Sequence, residues 1–419
     1  MTTASHGVSA HRQAGWLPQD QDELESWLHG HRQRVQARGE QVPLHPVLIE
    51  FQELIDSDPV LRMYLHRMVT EVPPAKPYRR RHLDSVPQML RLINEVLKTA
   101  PEYGEPMVAT PLTAILDWTM GTPAGFAAYR DPRINAMLKQ ILNCWCEFLT
   151  SSDSLYVLND SPSGWTCAAA RKAIGIDEFQ HDPHDEHWGY TSWNDFFTRR
   201  FNEGARPVAG PSDDKVIVSA CESTPYRIAT DINRDDCFWI KSQPYSLQDM
   251  LANDESVEQF VGGTVYQAYL SPTNYHRWHS PVAGTIVRAF NQDGTYYSEA
   301  DPRCAQAEQP TNSQSYLAHV ATRAVILIEA DDPAIGLLAV LEVGMTDVSS
   351  CMINSNITPG YHVAKGEELG FFQFGGSTYC LVFRRGAIGE FTLAAIPQPD
   401  SSHPPLVQVC SKLALGARD

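Results

Sequence analysis

At 419 residues and 46.8 kDa, the chain has room for two or three domains of roughly 150 residues each. With 43% hydrophobic and 20% charged residues, it is not a disordered, collagen-like or coiled-coil chain. The 50 acidic against 33 basic residues leave a net charge of −17, which argues against nucleic acid or an anionic membrane surface as a bulk electrostatic partner.

Taken in chain order, the first half reads as helical. Leu24, Trp27 and Leu28 fall three and four apart, and Leu48, Phe51, Leu54 and Ile55 repeat the spacing. At Ser57-Asp58-Pro59 a capping residue and a proline start the next helix, whose stripe runs through Leu61, Tyr64, Leu65 and Met68. Further helices are expected over 86–97, 112–120 and 134–149, and all these stripes read as core. Composition changes near 193–207. Beyond it, short β-branched and aromatic runs alternate with Gly, Pro and Asp turns. Strands are expected over 216–219, 238–240, 264–270, 284–290, 324–328, 337–343, 378–383 and 390–394, and a polar surface loop over 301–315. No helical period of comparable strength interrupts the strands, which speaks against a doubly wound parallel sheet. The expectation is an α+β chain: a helical domain over 1–190, then a mostly antiparallel β catalytic domain over 191–419. The first sixteen residues lack the apolar core of a signal peptide, and no apolar run approaches the ~18 residues that span a bilayer. The nine cysteines are scattered and odd in number, which fits a reducing compartment. A soluble, cytoplasmic protein with no stable membrane insertion is expected.

Four stretches of the second half could carry chemistry. In Tyr275-His276-Arg277-Trp278-His279-Ser280-Pro281, two histidines three apart can converge on one site if the segment turns; otherwise one packs and the other faces water. In Phe374-Gly375-Gly376-Ser377-Thr378, two glycines before a serine permit backbone that a Cβ forbids and leave the Gly376 carbonyl open to a nearby hydroxyl. A glycine turn into a strand is the plainer reading, and Tyr379 breaks the G-x-S-x-G pattern of a nucleophile elbow. Ser219-Ala220-Cys221-Glu222-Ser223 offers a carboxylate that could orient a histidine. The stretch from Val363 to Gly370 looks like a structural hairpin leading towards Gly375.

Together these stretches resemble the phosphatidylserine decarboxylase family of pyruvoyl enzymes. The landmarks occur in order: Asn194 to Arg200 (NDFFTRR) with Gly204-Ala205-Arg206-Pro207, Pro244-Tyr245-Ser246-Leu247, Tyr275 to Pro281, Gly344-Met345-Thr346-Asp347-Val348, Lys365-Gly366-Glu367, and Phe374 to Thr378. The resemblance implies a self-processing proenzyme that splits between Gly376 and Ser377, the former Ser377 becoming a covalent pyruvoyl group and the two chains staying associated. It implies that His279 is the base for Ser377, that His276 handles protons during decarboxylation, and that Glu222 is the triad acid. The family usually has Asp-Gly where this chain has Glu222-Ser223, so the acid's arm is longer here.

The substrate is suggested by a narrower likeness. Phe51 to Val60 (FQELIDSDPV), Ala100 to Gly104 (APEYG), Thr122 to Phe126 (TPAGF), Gly164-Trp165 and Gly294-Thr295-Tyr296 resemble the soluble aromatic amino acid decarboxylases of the family, those of psilocybin-type pathways. Glu222 and Trp278 also fit that branch. The expected reaction converts a free aromatic L-amino acid, L-tryptophan first, to its amine and CO2. The alternative is decarboxylation of phosphatidylserine to phosphatidylethanolamine. Tyr275, Trp278 and Phe374 are candidate pocket-lining residues or, equally, core. A pyridoxal-phosphate enzyme is disfavoured, since no His-Lys pair and no α/β alternation occur. His181, His184 and His187, with Asp182, Asp185 and Glu186, have metal-ligand spacing. The run contains a proline and lies outside the family pattern, so no metal is expected. Both histidines and the Gly376-Ser377 pair are present, which gives no reason to prefer an inactive binding module.

Overall fold

A computed structural model describes residues 15–18, 20–39, 42–72, 83–104, 107–235, 245–299, 311–348, 350–398 and 404–417. Capping chemistry sets the helical first half. Its helices are α1 (Gln21–Arg38), α2 (Pro46–Ser57), α3 (Pro59–Glu71), α4 (Val86–Val96), α5 (Pro111–Met120), α6 (Pro123–Ala128) and α7 (Pro132–Thr150). Asp20, Asp58, Ser85, Thr122 and Asp131 each accept a first-turn N–H, and a proline occupies the first position of α2, α3, α5, α6 and α7. There its missing N–H costs nothing. The buried faces of these helices, including Phe51, Leu61, Leu65, Ile93, Ile115, Leu142 and Trp145, form one core that continues into Tyr275, Tyr297 and Phe374 of the second half. Burying each such side chain stabilises the fold by about 1.5–3 kcal/mol. Two shorter helices, α8 (Ala168–Ile174) and α9 (Trp193–Phe197), lead out of this layer.

The second half holds β1 (Val216–Val218), β2 (Thr224–Thr230), β3 (Thr264–Leu270), β4 (Arg277–His279), β5 (Gly284–Gln292), β6 (Arg323–Ala330), β7 (Leu337–Thr346), β8 (Cys351–Ile353), β9 (His362–Val363), β10 (Glu368–Phe372), β11 (Gly376–Phe383), β12 (Ile388–Phe391) and β13 (Lys412–Gly416). An antiparallel seven-stranded sheet runs β2-β3-β11-β7-β6-β5-β9, flanked by β1-β13-β12 and β4-β10-β8. The central strands β7 and β11 are buried at every position, with one apolar cluster around Tyr379 and Leu381 and another around Cys380 and Val382. They therefore read as continuous apolar runs.

The α+β architecture matches the sequence reading, with local corrections. Three helices interrupt the strands: α10 (Leu247–Met250), α11 (Val257–Phe260) and α12 (Thr311–Val320), so the expected loop over 301–315 runs into a helix from Thr311. The stretch Val363 to Gly370 is not a hairpin, because β9 pairs with β5 while β10 pairs with β4 and β8. The strand expected over 390–394 ends at Phe391 and passes into a 3-10 turn, Leu393–Ala395. That expected over 238–240 lies outside the described residues.

Candidate active site

The ladder slips at the first step of β11. Gly376 pairs with Thr346, but Ser377 pairs with Gly344, so a bulge falls on the Gly376–Ser377 peptide. Gly375 has φ +139°, and a Cβ there would come within 2.4 Å of the Thr346 carbonyl oxygen and the Val348 nitrogen. A Cβ on Gly376 would come within 2.4 Å of Thr346 Oγ1. Both glycines are thus required by close approach of β7. The Ser377 and Thr346 hydroxyls are buried without a hydrogen-bond partner. Buried polar groups are usually satisfied, and here two unpartnered hydroxyls flank one peptide.

His276 completes this centre. Its ring stacks on Phe197 of α9 at 4.0 Å between centroids. Neither ring nitrogen makes a hydrogen bond of normal geometry. Burial first, and the Arg199 guanidinium second, hold its pKa well below the usual histidine value, against a weaker pull from the Asn274 backbone. It is therefore a neutral imidazole with unused nitrogens. Arg199 is itself committed, donating through Nη2 to the carbonyls of Thr273 and Asn274 at 2.6 and 3.1 Å. Trp16 closes the group. Its indole lies edge-on to His276, Phe374 and Phe197 at 5.7, 6.1 and 6.4 Å, and its Nε1 donates to the Leu270 carbonyl at 2.7 Å. Leu270 is the residue of β3 opposite Ser377.

Phe374 belongs to this cage, packed against Trp16, Trp145, Trp193 and Phe197. Tyr275 points to the other side, onto Phe179 and Phe201, and its hydroxyl meets His279 Nε2 at 2.9 Å. His279 Nδ1 lies 2.8 Å from the Gly366 carbonyl, so Nδ1 carries the proton and Nε2 is the acceptor of the Tyr275 hydroxyl. Burial lowers the His279 pKa, while Gly366 and Glu368 oppose it. With Nε2 held by Tyr275 and Ser377 Oγ unpartnered, the structure does not join these two residues.

Glu222 is placed elsewhere than on His279. Its carboxylate grips Arg206 at 2.7 Å and accepts from the Val409 backbone N–H at 2.8 Å, while Arg206 also holds Glu178. The carboxylate therefore faces arginine rather than the imidazole. Trp278 is also separate from the cage: strand alternation turns it into the second apolar cluster, against Phe372 and over Gly370. In the run from His181 to His187, the Nδ1 atoms of His181 and His187 face the carbonyls of Phe179 and Leu158. Among the described residues no group of three potential ligands is arranged to hold a metal ion.

Three further residues belong to the centre. Trp16 sits on an aperiodic segment, Gly15 to Pro18, with no signal that sequence reading could use, whereas Thr346 and Asp347 lie in the landmark Gly344 to Val348, which gave neither a role of its own. Asp347, at φ +56°, accepts from the Leu112 and Thr113 N–H groups, the Thr113 hydroxyl and the Tyr297 hydroxyl. It ties the N-terminus of α5 to the turn beside Gly375.

The family model described as phosphatidylserine decarboxylase matches residues 193–398, and a second phosphatidylserine decarboxylase model matches 45–174. A decarboxylase of Amanita muscaria, iboD, is 40% identical over 293 residues, covering 65% of this chain and 83% of that protein. An L-tryptophan decarboxylase of Psilocybe cubensis is 34% identical over 365 residues, covering 81% of each. A phosphatidylserine decarboxylase proenzyme of Chlamydia trachomatis is 31% identical over 211 residues, covering 50% of this chain and 64% of that protein. The landmarks read from the sequence, the orphaned serine on a Gly-Gly bulge and these matches agree: the chain belongs to the phosphatidylserine decarboxylase family of carboxy-lyases, in the branch that includes the L-tryptophan decarboxylases.

Proposed function

We propose that the chain is a self-processing, pyruvoyl-dependent decarboxylase of a free aromatic L-amino acid, with L-tryptophan the first candidate. The observation that carries this reading is an orphaned Ser377 hydroxyl on a glycine-flanked bulge, with a neutral His276 in the aromatic cage whose Trp16 also lies against Gly376.

The bulge suits the processing step. Ser377 Oγ loses its proton to a base and attacks the Gly376 carbonyl carbon. The amide C–N bond breaks as its nitrogen takes up a proton, leaving an ester. Loss of the Ser377 Cα proton then breaks the Cβ–Oγ bond and expels Gly376 as a carboxylate. The dehydroalanine left at position 377 takes up water and releases ammonia, giving the keto terminus. His279 has the tautomer of a base, its Nδ1–H fixed on Gly366, and can serve as the base for Ser377 only after Tyr275 releases Nε2. The residues present fit the group so formed, because its position is glycine-flanked, buried and free of competing hydrogen bonds.

A keto group beside an amide carbonyl supplies an electron sink for the substrate's α-carbon as CO2 departs. The chain supplies the rest. Phe197 and Phe374 provide flat apolar contacts for a substrate ring and keep water out. His276, unpaired and neutral, is suited to hold and deliver the proton that replaces CO2. Arg199 spends its two terminal nitrogens on backbone carbonyls and leaves only Nε unpartnered, so it offers the substrate carboxylate no bidentate clamp, which would favour the ground state. The small chain, residues 377–419, stays woven into the fold: β11 lies between β3 and β7, and β13 between β1 and β12.

The names of the Psilocybe relatives support an aromatic amino acid over a phospholipid. Release of CO2 from L-tryptophan, L-phenylalanine, L-tyrosine and vesicle-borne phosphatidylserine, assayed in parallel, tests the substrate. Turnover of tryptophan with no turnover of the lipid is expected; the reverse result overturns the reading.

A further inference from the structure

His276 and Ser377 are fully buried, as is Thr346 to within 1%. A substrate therefore reaches them only if a covering group moves. Most of the cover is regular structure or pinned to it: Phe197 lies in α9, Trp145 in α7, Ser377 is laddered on both sides, and Phe374, on the bend before β11, is packed against Trp145, Trp193 and Phe197. Trp16 is different. It lies on a short segment without regular structure, held by its indole N–H to Leu270 and by its carbonyl, which accepts from the Ala109 N–H at 3.0 Å and the Thr110 hydroxyl at 3.3 Å.

The indole also lies against the scissile residue. The position of a Gly376 Cβ is 3.4 Å from Trp16 Cδ2 and 3.5 Å from Cδ1. Edge-on contact with three rings is the environment an aromatic substrate needs, and the Leu270 carbonyl takes the indole N–H opposite Ser377. A tryptophan ring placed here inherits that acceptor, whereas a phenylalanine ring does not.

We infer that Trp16 is a specificity-determining residue whose indole fills the substrate's aromatic subsite and is exchanged for the substrate ring on binding. The inference rests on the amino acid decarboxylase reading for the identity of the ring, but not for the gating itself. An aromatic side chain recovers the contacts that Trp16 gives up and so displaces it. An aliphatic side chain does not, and is rejected.

The test compares full-length wild type with Trp16→Ala and Trp16→Phe, each first checked for cleavage by intact mass. Two readouts follow. The first is the rate at which the keto terminus is trapped by phenylhydrazine relative to hydroxylamine, followed as adduct mass on the small chain. Trp16→Ala is expected to raise this bulky-to-small ratio about tenfold, and Trp16→Phe to leave it within about twofold. The second is steady-state decarboxylation. Trp16→Ala is expected to lower KM for L-tryptophan about fivefold and to reduce the preference for L-tryptophan over L-leucine at least tenfold. An unchanged trapping ratio, or a raised KM with unchanged preference, shows a fixed wall and overturns the inference. If wild type turns over no amino acid, the substrate reading fails while the trapping ratio still decides the gate. Should Trp16→Ala not fold or not cleave, Trp16→Leu takes its place, with the same rise in trapping ratio expected and an unchanged ratio again contradicting it.

Discussion

At residue scale, the proposed function divides the centre into a pair to be cleaved, Gly376 and Ser377, and a proposed proton carrier, His276. Replacing Gly376 with alanine drives a Cβ to 2.4 Å from Thr346 Oγ1, so Gly376→Ala is expected to slow self-cleavage more than ~10-fold. Cleavage at the wild-type rate in that variant, followed by mass over time, would remove the steric account of the Gly-Gly pair. His276 has no hydrogen bond of normal geometry to lose. His276→Gln is expected to leave cleavage complete while lowering kcat by ~100-fold or more, within the range for loss of a general acid. A variant that fails to cleave would instead tie His276 to processing. The motif spacing made both histidines, Gly376 and Ser377 legible in the sequence, because each motif is local. Partnership was not legible. Glu222 finds Arg206, and Trp278 turns into the sheet core, through contacts between segments far apart in the chain.

At the scale of elements, Asp347 ties two layers together. Its carboxylate caps α5 from the turn that follows β7, so one buried side chain joins the helical layer to the bulge. Removing it leaves two N–H groups and two hydroxyls without their acceptor. Asp347→Ala is therefore expected to cost about 3 kcal/mol, read as a fall in urea midpoint at unchanged slope. A loss below ~0.5 kcal/mol would show that the tie is not needed. The helices were legible because period, cap and proline coincide, as at Asp58-Pro59. Long buried strands were legible from their β-branched runs. The short strands β4, β8 and β9 were not, since pairing with distant partners defines them and no local pattern does.

At the scale of the whole molecule, buried histidines set the response to acid. Burial lowers the pKa of His31 to about 4, with the Leu92 carbonyl opposing, and that of His319 to about 3, with the Tyr316 carbonyl opposing; His276 and His279 are lowered as well. Below about pH 6.5 the unfolded chain takes up protons that these folded-state imidazoles refuse, so stability falls as pH falls. His31 alone accounts for about 3 kcal/mol once pH drops below its folded value. Asp347, raised to about 6 by burial, and Glu342, also raised by burial, act in the opposite sense, because the folded state protonates them first. With four groups against two, the urea midpoint is expected to drop between pH 7 and pH 5; a rise over that interval would contradict the assignment of neutral buried histidines.

The central claim is that Ser377 is consumed to make the reactive terminus. The denatured intact mass of purified wild type, beside Ser377→Ala, tests it most directly. Two wild-type chains are expected, one ending at Gly376 and one spanning residues 377–419 with a keto group in place of the serine amine, and a single intact mutant chain. A folded wild-type protein that remains one 419-residue chain would contradict it.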